Sequence, residues 1–250
     1  MNSDTLLNHR SIRKYSVKPV DDELLNDLLN RACRASTTGN MQVYSIIITR
    51  DAEKKKELSP FHFGQKMITE APVILTFCAD FNRFNIWCRQ RNAEPGYDNF
   101  LSFLTASIDA LLVAQTLCIA AESEGLGICY LGTTTYMAHK IIDALKLPKG
   151  VVPVTTVTLG WPDEKPEQVD RLPLDAVIHK EVYHDYTAEA IDKFYNAKEK
   201  RSDSIQFVKE NNKETLAQVF ADIRYKKSDN VHFSEVLLKV LHDQGFMNNK

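Results

Sequence analysis

The longest apolar stretch of the chain is LSFLTASIDALLVAQTLCIAAES, residues 101–123. Its alanines would let neighbouring segments approach closely: Ala106, Ala110, Ala114, Ala120 and Ala121. Asp109 and Glu122 interrupt the apolar run, which favours a buried helix over a membrane span. We therefore predict that this stretch is the central helix of the core and that Gly125 ends it.

Four shorter segments carry the β-branched and apolar residues typical of strands: residues 43–49, 73–79, 128–131 and 151–159. Helices are predicted over residues 51–58, 63–70 and 137–147, together with an amphipathic helix that Asp21 caps and that ends near Arg34. Residues 80–99 follow no period and are interpreted as a loop or irregular helices, serving as a substrate lid or a plain connector. The pattern predicts a sheet covered by helices on both faces, without indicating which strands run parallel.

Composition narrows the class of protein. The 250 residues carry 31 basic and 33 acidic side chains, so no overall field favours nucleic acid or an anionic membrane as a partner. The cysteines are odd in number, lack Cys-x-x-Cys spacing and follow no signal-like N-terminal segment. We expect a cytoplasmic protein with buried or idle thiols.

A basic cluster lies near the N-terminus: Asn-His-Arg-Ser-Ile-Arg-Lys-Tyr, residues 8–15. Arg10 and Arg13 are three residues apart, and on a helical turn they would lie on the same side and hold an anion between them, with phosphate the obvious candidate. The alternative is the solvated basic start of a helix.

Other motifs of catalysis are missing from the sequence. No dinucleotide-binding or P-loop glycine pattern occurs, nor the Gly-x-Ser-x-Gly of hydrolases. The histidines show no metal-type pairing with cysteine or carboxylate, so no metal site is expected. A protein that lends its reactivity to a bound cofactor would have this sequence character, and so would a plain binding protein.

Several motifs, in this order and spacing, resemble the nitroreductase family. They are the cluster at residues 9–15, the hydroxyl-rich loop 36–42, Phe-Gly-Gln at 63–65, Gly-Leu-Gly-Ile-Cys-Tyr-Leu-Gly at 125–132, Thr-Leu-Gly-Trp-Pro at 158–162 and Asp-Arg-Leu-Pro at 170–173. The resemblance spans about residues 4–186. It is to the larger, oxygen-insensitive NADPH-nitroreductase and flavin reductase branch.

The resemblance implies an α+β fold with a mainly antiparallel central sheet sandwiched by helices and an extended C-terminal segment. It implies FMN bound without a covalent link, and a homodimer that forms two equivalent sites. We expect an FMN-binding domain over residues 1–195 and a C-terminal helical extension over residues 196–250 that packs on the dimer.

The resemblance also places residues around the FMN phosphate and ribityl chain. His9, Arg10 and Ser11 fall where the family holds this part of the cofactor, and Arg171 matches a second phosphate contact. Arg13 falls where a cation faces the N1 and C2 carbonyl edge of the ring, and a positive charge there would stabilise the anionic reduced flavin.

Further residues match contacts to the flavin ring. Gln65 matches a side chain that bonds the pyrimidine edge, or it is a surface amide. The turn beside the flavin comprises Tyr130, Leu131, Gly132 and Thr133, of which the first two alternatively belong only to the strand core. Thr37, Thr38, Asn40 and Met41 match a loop contributed by the second subunit, with a simple turn as the alternative.

Two positions depart from the branch. Val169 stands where the branch usually has a lysine, and Thr133 stands where it has a second glycine after Gly132. The residues that would select the NADPH 2′-phosphate cannot be assigned, with Lys198, Lys200 and Arg201 as candidates against a solvated helix face.

The activity implied is an FMN-dependent NAD(P)H oxidoreductase. NADPH or NADH would give a hydride to flavin N5, and a small-molecule acceptor, a nitroaromatic, quinone or flavin, would then be reduced in a ping-pong cycle without a catalytic protein side chain. The alternatives are a non-catalytic flavin- or anion-binding protein and a specialised reduced-flavin enzyme of the same fold.

Overall fold

The computed structural model describes residues 4–248. Its strands are β1 (Tyr44–Thr49), β2 (Val73–Asp80), β3 (Gly127–Leu131) and β4 (Val151–Gly160). Its helices are α1 (Asp4–Leu7), α2 (Asp22–Ala32), α3 (Ala52–Leu58), α4 (Met67–Glu70), α5 (Asn82–Gln90), α6 (Phe100–Ser123), α7 (Thr133–Tyr136), α8 (Ala138–Leu145), α9 (Ala188–Glu199), α10 (Ser202–Glu210), α11 (Leu216–Val219) and α12 (Lys227–Gln244). Shorter 3₁₀ turns cover Thr38–Asn40, Ser59–His62 and Leu174–Ala176, and a π-helical turn covers Phe220–Arg224.

The strands form one sheet in the order β1-β2-β4-β3, and every neighbouring pair is antiparallel. Leu75 on β2 lies between Ile48 of β1 and Val157 of β4. All eight residues of β2 are buried, in agreement with the nearly unbroken apolar run at residues 73–79. The predicted α+β fold with an antiparallel central sheet is confirmed.

Helices cover both faces of this sheet. Leu75 and Phe77 pack with α2 and α6 in one core cluster, whereas Ile74 packs with Leu58 and Ile68, from α3 and α4, in another. Because side chains alternate along a strand, neighbouring residues of β2 serve opposite faces. The sheet is therefore sandwiched, as predicted.

Helix α6 is the predicted central helix. Asn99 caps its start by accepting from the backbone N–H of Ser102 at 3.1 Å, and Gly125, at φ +82°, follows its end. Its length and hydropathy would suffice for a membrane span, but half of its most apolar window is buried within the protein. Packing against α2 and all four strands identifies α6 as a core helix.

The basic cluster is not helical, so the prediction that Arg10 and Arg13 share one side of a helical turn is wrong. Ser11 bridges Ile128 in parallel, and the N–H of Ile12 donates to the carbonyl of Ile128 at 2.8 Å. The free edge of β3 supplies hydrogen bonds that replace helical ones. In such an extended segment, side chains three residues apart point to opposite sides.

The structure differs from two other predictions. The helix predicted over residues 63–70 begins only at Met67, because Phe63 and Gly64 are left-handed, at φ +57° and +66°. The segment 80–99 contains the regular helix α5, and residues 91–99 form no regular helix before α6 begins.

The chain divides into two compact units. One comprises the described residues up to Glu167 together with those from Phe233 onward, and the other is Gln168–His232. The second unit contains α9, α10, α11 and the π-helical turn. The sequence predicted a different division, between an FMN-binding domain that ends at residue 195 and an extension that begins at residue 196. That division remains a prediction, and its boundary lies within α9.

Candidate functional site

The basic segment is held against the edge of β3 by close packing. A Cβ on Gly127 would lie 2.7 Å from Ile12, so only glycine admits this approach. The buried hydroxyl of Tyr15 donates to the carbonyl of Ile12 at 2.7 Å and lies 2.7 Å from Thr158 Oγ1. These contacts fix the path of residues 11–15 beside β3, the strand that contains Tyr130.

Arg10 carries a buried donor without an acceptor. Its Nη1 donates to the carbonyl of Asn8 at 2.8 Å, but its Nε is buried and has no hydrogen-bond partner in the part of the chain that the structure describes. A buried guanidinium N–H normally has an acceptor, because leaving one unpaired costs free energy. Arg10 is thus suited to an anionic ligand such as a phosphate.

The residues on either side of Arg10 have their own partners. His9 Nδ1 lies 2.7 Å from Glu122 Oε1 on α6, in a partly buried pair. Ser11 is half-buried, and its backbone pairs with Ile128. The segment that is predicted to hold the phosphate thus contacts both α6 and β3.

Arg13 is exposed and lies on the same strand edge. The carboxylate of Glu164 accepts from the backbone N–H of Arg13 at 2.6 Å and of Lys14 at 3.0 Å. Burial raises the pKa of the Cys129 thiol, and the positive charge of Arg13 opposes that rise. Arg13 therefore acts electrostatically on the residue just before Tyr130.

The end of β3 opens into free space. Tyr130 is half-buried, and desolvation by burial raises the pKa of its phenol. Leu131 is buried in the core. Gly132 differs from Gly127, since a Cβ built on it would meet no heavy atom within 4 Å. A ligand could approach the backbone at Gly132, as the resemblance requires.

Gln65 and Thr133 are connected through a residue that the sequence did not single out. His62 is 1 % exposed, and its Nδ1 lies 2.9 Å from Thr133 Oγ1. The carbonyl of His62 accepts from Gln65 Nε2 at 3.1 Å. Two of the predicted flavin contacts thus meet at one buried histidine.

The loop with Thr37, Thr38, Asn40 and Met41 is held by α6. The backbone N–H of Thr38 donates to Asp109 Oδ1 at 2.9 Å. Gly39 and Asn40 are left-handed, at φ +56° and +55°. A polar cavity of about 280 Å³ beside the loop is lined by Cys33, Arg34, Ala35, Ser36, Thr37, Asn40 and Gln42. Asp109 therefore anchors the loop, and the contact of the loop with the cofactor of a second subunit remains a prediction.

Arg171 belongs to the second unit. It is exposed, and its Nη1 donates to the carbonyl of Asp170 at 2.9 Å. Lys198 forms an ion pair with Asp170 at 3.1 Å, and Arg201 forms one with Asp203 at 2.9 Å. The phosphate contact expected of Arg171 remains a prediction.

Sequence reasoning missed four residues that organise this region: His62, Asp109, Glu122 and Glu164. Asp109 carried a signal, because a lone carboxylate inside an apolar helix needs a buried partner. His62, Glu122 and Glu164 carried none, since their partners lie far away in the chain. Among the described residues, no group of three or more potential metal ligands occurs.

The chain is similar to known proteins of one family. The family model described as "Nitroreductase family" matches residues 6–161. The FMN reductase (NADPH) of Bacillus subtilis (strain 168) is 36% identical over 183 residues, covering 72% of this chain and 74% of that protein.

Two further matches support membership of the nitroreductase family. The oxygen-insensitive NADPH nitroreductase of Salmonella typhimurium is 35% identical over 180 residues, covering 72% of this chain and 73% of that protein. A crystal structure of a Bacteroides fragilis NCTC 9343 protein is 61% identical with a TM-score of 0.97, covering 98% of this chain and 100% of that one. The chain belongs to the nitroreductase family, as its motifs predicted.

Proposed function

We propose that this protein is an FMN-dependent NAD(P)H oxidoreductase that reduces small electron-poor acceptors such as nitroaromatics, quinones or flavins. Its membership of the nitroreductase family supports the class of reaction, and relatives named FMN reductase (NADPH) and oxygen-insensitive NADPH nitroreductase support the cofactor and the donor. Bound FMN would supply the hydride chemistry, accepting from NAD(P)H and passing two electrons to the acceptor.

The observation that carries the cofactor assignment is the buried Nε of Arg10. This donor lacks an acceptor among the described residues, at the position where the family resemblance expects a phosphate. A phosphate oxygen would complete its hydrogen bonding and neutralise its charge. The chain therefore fits FMN at this point.

The remaining predicted residues have distinct parts in binding. His9 and Ser11 flank Arg10 and would hold the phosphate and ribityl chain. Arg13 would favour negative charge at the N1 side of the ring. Gln65 and residues 130–133 would contact the ring, and the open space above Gly132 leaves room for it.

We further propose a homodimer, located in the cytoplasm, in which α6 contributes to the interface. Large apolar side chains on one face of α6 are 43–69 % exposed in the single chain: Phe100, Leu101, Leu104, Ile108, Leu111 and Leu112. An exposed apolar stripe of this kind is typical of a surface covered by another protein. Residues 37–41 of one copy would then reach the cofactor of the other, and residues 196–250 would pack on the dimer.

A simple experiment tests the activity. Purified full-length protein should be yellow, and NADPH added without oxygen should bleach the flavin absorbance. A nitroaromatic or quinone should then restore the colour. A yellow protein that neither NADPH nor NADH bleaches would be a flavin carrier instead, and a colourless protein that binds no FMN would contradict the cofactor assignment.

A further inference from the structure

His62 connects two segments that are far apart in the chain. It ends the 3₁₀ turn Ser59–His62, and its ring reaches Thr133, the first residue of α7. His62 Nδ1 and Thr133 Oγ1 are 2.9 Å apart, and both residues are buried, at 1 % and 9 % exposure. A hydrogen bond sealed from water in this way keeps its geometry better than an exposed one.

The same histidine anchors Gln65 through its backbone. The carbonyl of His62 accepts from the backbone N–H of Gln65 at 3.2 Å and from Gln65 Nε2 at 3.1 Å. With Nε2 engaged, Gln65 Oε1 has no donor among the described residues and is the free acceptor of this side chain. An acceptor is the group that the single N–H on the pyrimidine edge of a flavin requires.

The backbone after His62 is bent to make this arrangement. Phe63 and Gly64 are both left-handed, and the N–H of Gly64 donates to the carbonyl of Ser59 at 2.9 Å. A left-handed conformation costs a non-glycine residue free energy, so Phe63 is held there by its surroundings. The bend directs Gln65 back toward the His62 carbonyl.

We propose that His62 is a positioning residue for the cofactor, which fixes Gln65 and the Gly132–Thr133 turn relative to each other through the hydroxyl of Thr133. The inference rests on the proposed function. Thr133 occupies the position where the resembled branch carries a second glycine, and a glycine could not make this bond. The bond to His62 thus gives a structural role to Thr133, the residue that replaces the second glycine of the branch.

A role in proton transfer does not fit His62. Burial lowers the pKa of its imidazole to about 4, so the ring is neutral near pH 7. Its Nδ1 is already engaged with Thr133, and almost none of the residue is reachable by a substrate. Its contribution is to geometry.

The test measures the rate of FMN release after the full-length holoenzyme is diluted. The recovery of flavin fluorescence is the signal that monitors this release. Thr133→Val removes the hydroxyl with little change of shape and should speed release about 5- to 30-fold. Thr133→Ser keeps the hydroxyl and should stay within about twofold of wild type. His62→Phe should act like Thr133→Val, and the double variant should release FMN no more than about twofold faster than either single one, because both remove one interaction.

A matched control separates positioning from general destabilisation. Thr49 is a buried threonine at the end of β1, the strand at the opposite edge of the sheet from β3, so Thr49→Val also removes a buried hydroxyl. It should lower the melting temperature and leave the rate of FMN release unchanged.

The outcomes distinguish the two levels of the argument. A wild-type protein that binds FMN, together with a Thr133→Val variant that releases it at the wild-type rate, would overturn the inference alone. Multiplicative effects of His62→Phe and Thr133→Val would overturn it as well. A wild-type protein without FMN affinity would overturn the proposed function and this inference together.

Discussion

Asp109, in the middle of α6, holds the loop of Thr38 by accepting its backbone N–H at 2.9 Å. Asp109 is fully buried. Asp109→Ala leaves that N–H without its acceptor, so we expect the free energy of unfolding to fall by about 1–3 kcal/mol. Asp109→Asn keeps the acceptor and should lie within about 1 kcal/mol of wild type. Urea denaturation followed by circular dichroism measures both, and equal losses would contradict the assigned role.

Arg10 should contribute strongly to FMN affinity. Arg10→Ala removes a charge-assisted contact, so we expect a loss of about 1.5–3 kcal/mol, roughly 10- to 150-fold in Kd. Fluorescence titration of FMN measures the change. Arg50→Ala is the control, because the contact of Arg50 within the described residues is an exposed ion pair with Asp22 at 2.9 Å. Equal affinities of the two variants would remove Arg10 from the site.

Gly127 and Gly132 should respond differently to the same substitution. Gly127→Ala forces a Cβ to within 2.7 Å of Ile12 and should destabilise the fold by about 1–3 kcal/mol. Gly132→Ala meets no atom within 4 Å, so the free energy of unfolding should change by less than about 0.5 kcal/mol. FMN affinity should nevertheless fall in Gly132→Ala, because the new methyl group occupies space left for the ligand. Melting curves and FMN titrations of both variants check this contrast.

The apolar face of α6 should control assembly. Leu104 is 44 % exposed, and Leu104→Glu would place a charge in the proposed interface. Light scattering should give about twice 28.5 kDa for the wild type and the mass of one chain for the variant, with FMN lost in parallel. Val17→Glu alters a fully exposed site and should stay dimeric. A wild-type monomer that retains FMN would contradict the shared site.

The buried neutral state of His62 makes stability depend on pH. Its pKa is lowered from 6.5 to about 4 in the folded protein, so the unfolded chain binds the proton more tightly. Stability attributable to His62 is therefore present above pH 6.5, decreases as the pH falls from 6.5 to 4, and is lost below 4. The full difference amounts to about 3 kcal/mol.

Denaturant unfolding at fixed protein concentration, from pH 7 down to pH 4, measures this dependence. His62→Phe should make the curve less steep over that interval, since position 62 then no longer takes up a proton on unfolding, whereas other groups such as His139 still can. A variant with the same slope as wild type would show that other groups cause the pH dependence.

Local patterns were sufficient to predict the four strands, whereas their antiparallel pairing was implied only by the family resemblance. The ends of all four strands lie within one residue of the predicted ones, because β-branched runs and the Pro and Gly residues beside them act over short distances. The same holds for α6, with its Asn99 cap and Gly125 end.

Contacts between residues that are far apart in the sequence could not be predicted from local patterns. The basic segment has a helical spacing of arginines, but the edge of β3 draws it into an extended form. The bond between His62 and Thr133 joins residues whose separation in sequence is 71, and no periodicity reports such a contact. The residues of the candidate site were found by family motifs, whereas His62, Glu122 and Glu164, which hold them in place, appeared only in three dimensions.

The pairing of Ser11 with Ile128 also sets an order of events during translation. Arg10 leaves the ribosome early, but the strand beside it is made much later, and Pro162, which bridges Tyr15, later still. The nascent chain therefore cannot enclose a phosphate while its amino-terminal part alone has emerged. On the proposed function, cofactor loading would follow the synthesis of β3, so we expect a truncated translation product that ends before this strand to carry no flavin.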